Sequence, residues 1–137
     1  MADRGITMAQ SLQSASYALL RVTAGLMFSV HGMQKVLGLF AERTPEFGSQ
    51  LWIGGLIELV CGIAIALGLF TRPAAFLSSG TMAVAYAQYH WKFAFDERLI
   101  PTVNRGELAA LYCFVFLYIC CKGAGCCSLD ARRKKVH

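Results

Sequence analysis

The sequence predicts an all-α protein, a bundle of four transmembrane helices. Three observations predict it. Apolar residues make up 56% of the 137 residues and charged residues only 15%, where a soluble domain usually carries about 25% charge. Residues 51–70 carry one charge, Glu58, and residues 73–89 carry none; apolar stretches of about 18 or more residues read as membrane spans. Turn and loop signals divide the chain into four apolar segments. This composition excludes a disordered chain and leaves no room for a separate soluble domain, so residues 1–137 are one membrane domain.

Residues 1–14 are polar and mixed. They carry no cleavable signal peptide, because the apolar segment that follows is too long and no small-residue cleavage site succeeds it. The first span covers residues 17–39 and is interrupted by Arg21 near its start and by His31, Gln34 and Lys35 near its end. Residues 40–50 form a loop with Pro45 and Gly48 as breakers. The second span covers 51–70. Thr71-Arg72-Pro73 is a short turn, and Pro73 suits the first turn of the next helix. The third span runs over 73–91, and residues 92–105 form a charged loop with Pro101 and Asn104. The fourth span covers 106–121; its uncharged run, 108–121, is short, but Lys122 can snorkel and let the helix continue. Residues 131–137 form a basic tail.

Four crossings put both termini and the 71–73 turn on one side of the bilayer. That side holds eight basic residues: Arg4, Arg21, Arg72, Lys122, Arg132, Arg133, Lys134 and Lys135. The other holds five: Lys35, Arg43, Lys92, Arg98 and Arg105. The excess predicts cytoplasmic termini. Net charge is +5, but the dense basic run directly follows hydrophobic sequence and suits anionic lipid rather than nucleic acid. Gly54, Gly55, Gly62, Ala66 and Gly68, then Ser79, Gly80, Ala83 and Ala87, predict close helix approach in lipid.

Ionisable groups inside a membrane are costly and usually face the bundle interior. His31 and Lys35 are one helical turn apart and share a face. Arg21, Phe28 and Lys35 recur every seven residues beside Gly25 and Gly32. At 1.5 Å per residue, His31 lies roughly 12 Å from the outer end of its span and Glu58 roughly 10 Å from the same end. His31, Lys35 and Glu58 therefore meet at one depth on antiparallel neighbours. His90 ends the third span on that side, and Asn104 and Glu107 open the fourth. Two readings stand: a site for a polar head group or protons, or an ion pair that only locks two helices. The aromatics around Trp52 and Trp91 read as an interfacial belt, with a stacking wall for a ring as the sharper alternative.

Cys61 and Cys113 lie within spans as apolar packers. Cys120, Cys121, Cys126 and Cys127 fall at the cytoplasmic end, where disulfides are disfavoured. Incidental thiols are the first reading, acylation or a metal or redox role the others; no metal site is expected. The chain has no glycine-rich phosphate loop, no G-x-S-x-G, no C-x-x-C and no H-x-x-x-H.

Four motifs in order carry a resemblance: Leu19-Leu20-Arg21 with His31-Gly32-Met33-Gln34-Lys35; Gly55-Leu56-Ile57-Glu58 through Gly62, with Gly68-Leu69-Phe70-Thr71-Arg72-Pro73; Asn104-Arg105-Gly106-Glu107-Leu108; and Gly123-Ala124-Gly125 with Ser128-Leu129-Asp130. Together, over residues 15–131, they resemble the DoxX family of small four-helix membrane proteins. The resemblance implies an inner-membrane protein similar to subunits linked to thiosulfate:quinone oxidoreduction and to a membrane partner of cytosolic oxidative-stress enzymes. It carries Arg21, His31, Lys35, Glu58, Asn104 and Glu107 over as ligand-binding positions. Cys126 and Cys127 depart from the family, whose members more often have arginine and tryptophan there.

The expected function is a quinone-linked redox subunit with an outer-half polar site between helices and quinone as its cofactor. The rival is a non-catalytic anchor that assembles soluble redox enzymes at the cytoplasmic face; a small ion or metabolite carrier is a weaker third. The lipid bilayer is the expected surrounding, no nucleic acid partner is expected, and the architecture allows a homo-oligomer.

Overall fold

Helix α1 (Ala2–Val36) runs for 35 residues, roughly 50 Å, and in the computed structural model the chain is described over residues 2–133, with side chains from residue 7 onward. Lys134 and Lys135 of the basic tail lie outside the described residues. The polar segment expected before the first span is thus helical: it has no proline, and Ala, Met, Gln and Leu favour a helix whatever their polarity. The helix stops three residues short of the expected end, just before Gly38 at φ +69°.

Helix α2 (Gln50–Leu67) starts on Ser49, whose hydroxyl accepts the Trp52 N–H at 3.3 Å. It ends on Gly68 in the left-handed region, with the Leu69 N–H donating to the Ala64 carbonyl at 2.8 Å. Helix α3 (Thr71–Ala85) continues without a break into a π-helical stretch, Tyr86–Trp91, closed by Lys92 N–H to Ala87 C=O at 2.8 Å. The following loop is more ordered than its charge predicts. It holds a 3₁₀ turn (Glu97–Leu99) and the one-turn helix α4 (Pro101–Asn104) before α5 (Glu107–Lys122). A short α6 (Leu129–Arg133) follows.

The protein is all-α. Helix α1 packs along α2, α2 against α3, and α3 along α5. The α1–α2 seam is made of glycines seven residues apart on each helix, Gly25 and Gly32 against Gly62 and Gly55. A Cβ on Gly25 would sit 2.6 Å from the Ala66 nitrogen, and one on Gly62 would sit 2.6 Å from the Ser29 nitrogen. Backbone meets backbone, which only glycine allows. The ring of Phe28 on α1 packs tilted against that of Phe116 on α5, centroids 4.6 Å apart, and both are fully buried with Ile65 and Ile119. The Ser79 hydroxyl donates to the Cys113 carbonyl at 2.8 Å and joins α3 to α5. Two of the expected packing residues do otherwise: Gly54 and Gly80 have nothing within 4 Å of a Cβ and open onto a cavity.

At one end of the bundle Arg21 is fully buried and donates to the carbonyls of Ile65 (2.6 Å), Ala66 (2.8 Å) and Cys127 (2.9 Å). Beside it Asp130 accepts the N–H groups of Phe70 and Thr71 at 3.0 Å and the Thr71 hydroxyl at 2.9 Å, capping α3. Tyr17 donates to the Gly123 carbonyl. Two of the sequence motifs, 68–73 and 123–130, are therefore one knot that fastens the C-terminal segment over the α2–α3 turn.

The outward faces are apolar: Leu19, Leu26, Phe76, Leu111 and Phe114 are all exposed. By length and composition alone, α2 is the one helix among the described residues suited to crossing a membrane. Helix α1 carries Arg21, His31 and Lys35, and α3 and α5 have 15 and 16 residues, below the ~20 of a straight span.

Candidate functional site

At the end away from Arg21 the helices line a half-open cavity of about 660 Å³ with a largely apolar lining. Its walls follow from the helical period. Helix α1 presents Phe28, His31 and Lys35, spaced three and four residues apart. Helix α2 presents Gly54, Ile57 and Glu58. Helix α3 adds Leu77, Gly80 and Thr81, and α5 adds Leu108, Ala109 and Tyr112. The π-helical stretch brings in Tyr89 and His90. Such stretches shift side chains off the regular helical face and recur at functional sites.

The electrostatic centre is Lys35 with Glu58. Lys35 Nζ lies 2.6 Å from Glu58 Oε1, with side-chain exposures of 32% and 3%. Glu58 Oε2 is buried without a hydrogen-bond partner, and so is the Tyr112 hydroxyl. Buried polar atoms normally have partners; of the three without one among the described residues, Arg21 Nε lies at the other end of the bundle, and the other two belong to residues that line the cavity. His31 stands edge-on to Tyr112, with ring centroids 6.3 Å apart. His90 Nδ1 lies 3.3 Å from the Asn104 carbonyl, and its ring stacks 6.2 Å from Tyr86.

Of the six residues singled out from sequence, the structure brings His31, Lys35 and Glu58 together and places the other three elsewhere. Arg21 lies fourteen residues before Lys35 on the same helix, about 21 Å away; its two terminal nitrogens donate to carbonyls of the opposite end, while its Nε is buried without a partner. Asn104 pins the loop before α5: its amide donates to Tyr86 Oη (3.1 Å) and the Arg98 carbonyl (2.7 Å), and its Oδ1 accepts the Gly106 N–H (2.7 Å). Glu107 is exposed in the first turn of α5, where an acid suits the helix dipole. Trp52 and Trp91 do not line the cavity; they cluster with Phe47 and with Phe93 and Phe95.

Sequence reasoning missed Tyr112. Within the run 111–121 it resembles the other packing aromatics. Its register holds the signal: Ala109, Tyr112, Phe116 and Ile119 are the buried stripe of α5, and Tyr112 alone on that stripe has a polar tip. The six cysteines are free thiols, and none lines the cavity. Cys121, Cys126 and Cys127 are exposed at the Arg21 end, with the Cys126 thiol 3.3 Å from the Ser14 carbonyl.

Comparison with known proteins gives two matches. The DoxX family model matches residues 16–91, a segment holding His31, Lys35, Glu58 and His90 but not Tyr112. An uncharacterized protein of Haemophilus influenzae is 42% identical over 117 residues, covering 82% of this chain and 87% of the relative. No solved structure matches.

Proposed function

The chain belongs to the DoxX family of membrane proteins, and on that premise we propose that it is a multi-pass inner-membrane subunit whose cavity binds a quinone for a redox complex. Several features support the multi-pass reading. Exposed large apolar residues lie on the outward faces of α1, α2, α3 and α5, and residues 71–91 form one unbroken helical run. The excess of basic residues on the terminal side supports cytoplasmic termini.

The two partnerless buried oxygens carry the binding reading. The cavity is wide enough for a substituted ring and apolar enough to favour one. Polar groups converge at its inner wall. The residues present fit a quinone: Lys35 and His31 can donate to ring oxygens, and Phe28 and Ile57 supply apolar walls. Such a group would supply a two-electron, two-proton acceptor. The chain's own part is to hold the ring among α1, α2 and α5, keep bulk water from its inner edge, and offer proton-exchanging groups at His31, Glu58 and Tyr112. The sequence holds no dinucleotide loop and no C-x-x-C, so the electrons would come from a partner protein. A second reading, an anchor for cytosolic redox enzymes, is favoured by exposed Cys121, Cys126 and Cys127 on the same terminal segment as exposed Arg132 and Arg133.

Gentle purification of the full chain, solvent extraction and mass spectrometry test the site. Retained quinone that is lost in Gly54→Leu, which fills the cavity wall, is the expected result. Absence of retained quinone or quinol together with no binding of added decylubiquinone or decylubiquinol refutes the proposal. Reporter fusions at Phe47 and at the C-terminus test the topology; a cytoplasmic signal at Phe47 overturns it.

A further inference from the structure

We propose that the cavity selects the hydroxyl-bearing, reduced form of a lipid-borne ring molecule over its oxidised form. This rests on the quinone reading above and adds a direction to it. With Oε1 of Glu58 held by the Lys35 ammonium at 2.6 Å, Oε2 is left buried and partnerless. A carboxylate oxygen can only accept. The carbonyl of an oxidised ring can only accept as well, so it leaves Oε2 unmet wherever it sits. Lys35 keeps two N–H donors that a carbonyl could take, but that contact does nothing for Oε2. A ring hydroxyl can donate to Oε2 once the side chains that cover it give way to the ring. The Tyr112 hydroxyl, also buried and partnerless, both donates and accepts and can serve the second oxygen of such a ring.

The approach to the site fits a molecule that arrives from lipid. Gly54 on α2 and Gly80 on α3 leave open space where side chains would stand. The rim beside them is exposed and apolar at Ile53, Leu77 and Val84. A water-borne ligand gains nothing from such a rim, whereas an apolar tail is accommodated there without further desolvation.

The test uses the full chain in detergent or nanodiscs, without oxygen, and measures equilibrium affinity by calorimetry. The probes are decylubiquinol, decylubiquinone, and the dimethyl ether of decylubiquinol, which keeps the ring but has no hydroxyl. Leaving a buried charged acceptor unmet corresponds to about 10- to 100-fold in affinity. The quinol should therefore bind at least about tenfold tighter than either of the others. Glu58→Gln replaces the acceptor by an amide that can donate, and the preference should fall to near parity. Tyr112→Phe should weaken quinol binding while the protein keeps its melting temperature. Equal or tighter binding of decylubiquinone or of the ether overturns the selectivity and leaves the quinone reading standing. Failure of all three to bind overturns both.

Discussion

Replacing Lys35 by leucine should destabilise the protein far more than replacing Glu58, although the two form one pair. The reason is the asymmetry of their burial: the Lys35 side chain is 32% exposed and that of Glu58 3%. Without Glu58, the Lys35 ammonium can swing along its flexible stem toward the open end of the cavity and regain water. Glu58→Leu should then cost about 1 kcal/mol, as for a partly solvated pair. Without Lys35, Glu58 has no such exit. It sits on α2 among Gly55, Cys61 and Gly62, all buried, and breaking a buried pair this way costs about 3–5 kcal/mol. The membrane reference state draws that toward the lower end. In the double mutant neither charge is left stranded, so its loss should be smaller than the sum of the two singles by about 2 kcal/mol or more. Chemical denaturation in mixed micelles, followed by tryptophan fluorescence across the four proteins of the cycle, reads this directly. A Glu58→Leu loss equal to or larger than that of Lys35→Leu, or strictly additive effects, would refute the reasoning.

Two further outcomes follow from other parts of the fold. Gly62→Ala should lower the melting temperature sharply, because its Cβ would meet the Ser29 nitrogen at 2.6 Å; Gly54→Ala, facing open space, should gain about 0.5–1 kcal/mol from reduced chain entropy, and equal effects in thermal melts would contradict the glycine seam. At Asp130, burial pushes the carboxyl pKa up, but the N–H and O–H bonds from Thr71, the Phe70 N–H and Arg133 outweigh it and hold the group below the usual carboxylate range. A depressed folded pKa contributes stability above the unfolded value of about 3.9 that is lost as pH falls through the folded one. Asp130→Asn should therefore be less stable at pH 7, by about 1 kcal/mol as for a lost helix cap, and show a flatter loss of melting temperature below about pH 4; a slope equal to that of the unmodified protein would remove Asp130 from the cause.

Much of the site was legible because burying a charge in an apolar segment is costly enough to be informative by itself. Glu58 stands as the one charge of residues 51–70, and counting rise per residue from the loop ends brings it level with Lys35. Arg21 is different: the charge count places it on the terminal side, opposite Lys35, and only the resemblance makes it a ligand-binding position. Its guanidinium donates to backbone carbonyls at the C-terminal end of α2, and main-chain partners leave no trace in side-chain identity. Asn104 and Glu107 open the fourth span on the outer side and are ligand-binding positions only through the resemblance; Asn104 bonds within the loop before α5, and Glu107 is exposed in the first turn, where the helix dipole suits an acid. The π-helical stretch that presents His90 has no periodic signature over so few residues.

The sequence by itself determined that the chain is helical and apolar, which segments form its principal helices, and that Lys35 and Glu58 would share a depth. Those follow from composition, from the 3.6-residue period and from turn residues, all local properties. Tertiary structure alone decided which glycines touch backbone, as Gly25 and Gly62 do, and which open a cavity, as Gly54 and Gly80 do. It alone left Glu58 Oε2 and the Tyr112 hydroxyl, on two residues that line one cavity, buried without partners. A glycine has no side chain to declare which neighbour it faces, and a hydroxyl is satisfied or orphaned only by atoms that arrive from other helices. Both facts are set by how four helices rotate about their axes when they pack, and that rotation is a property of all of them together.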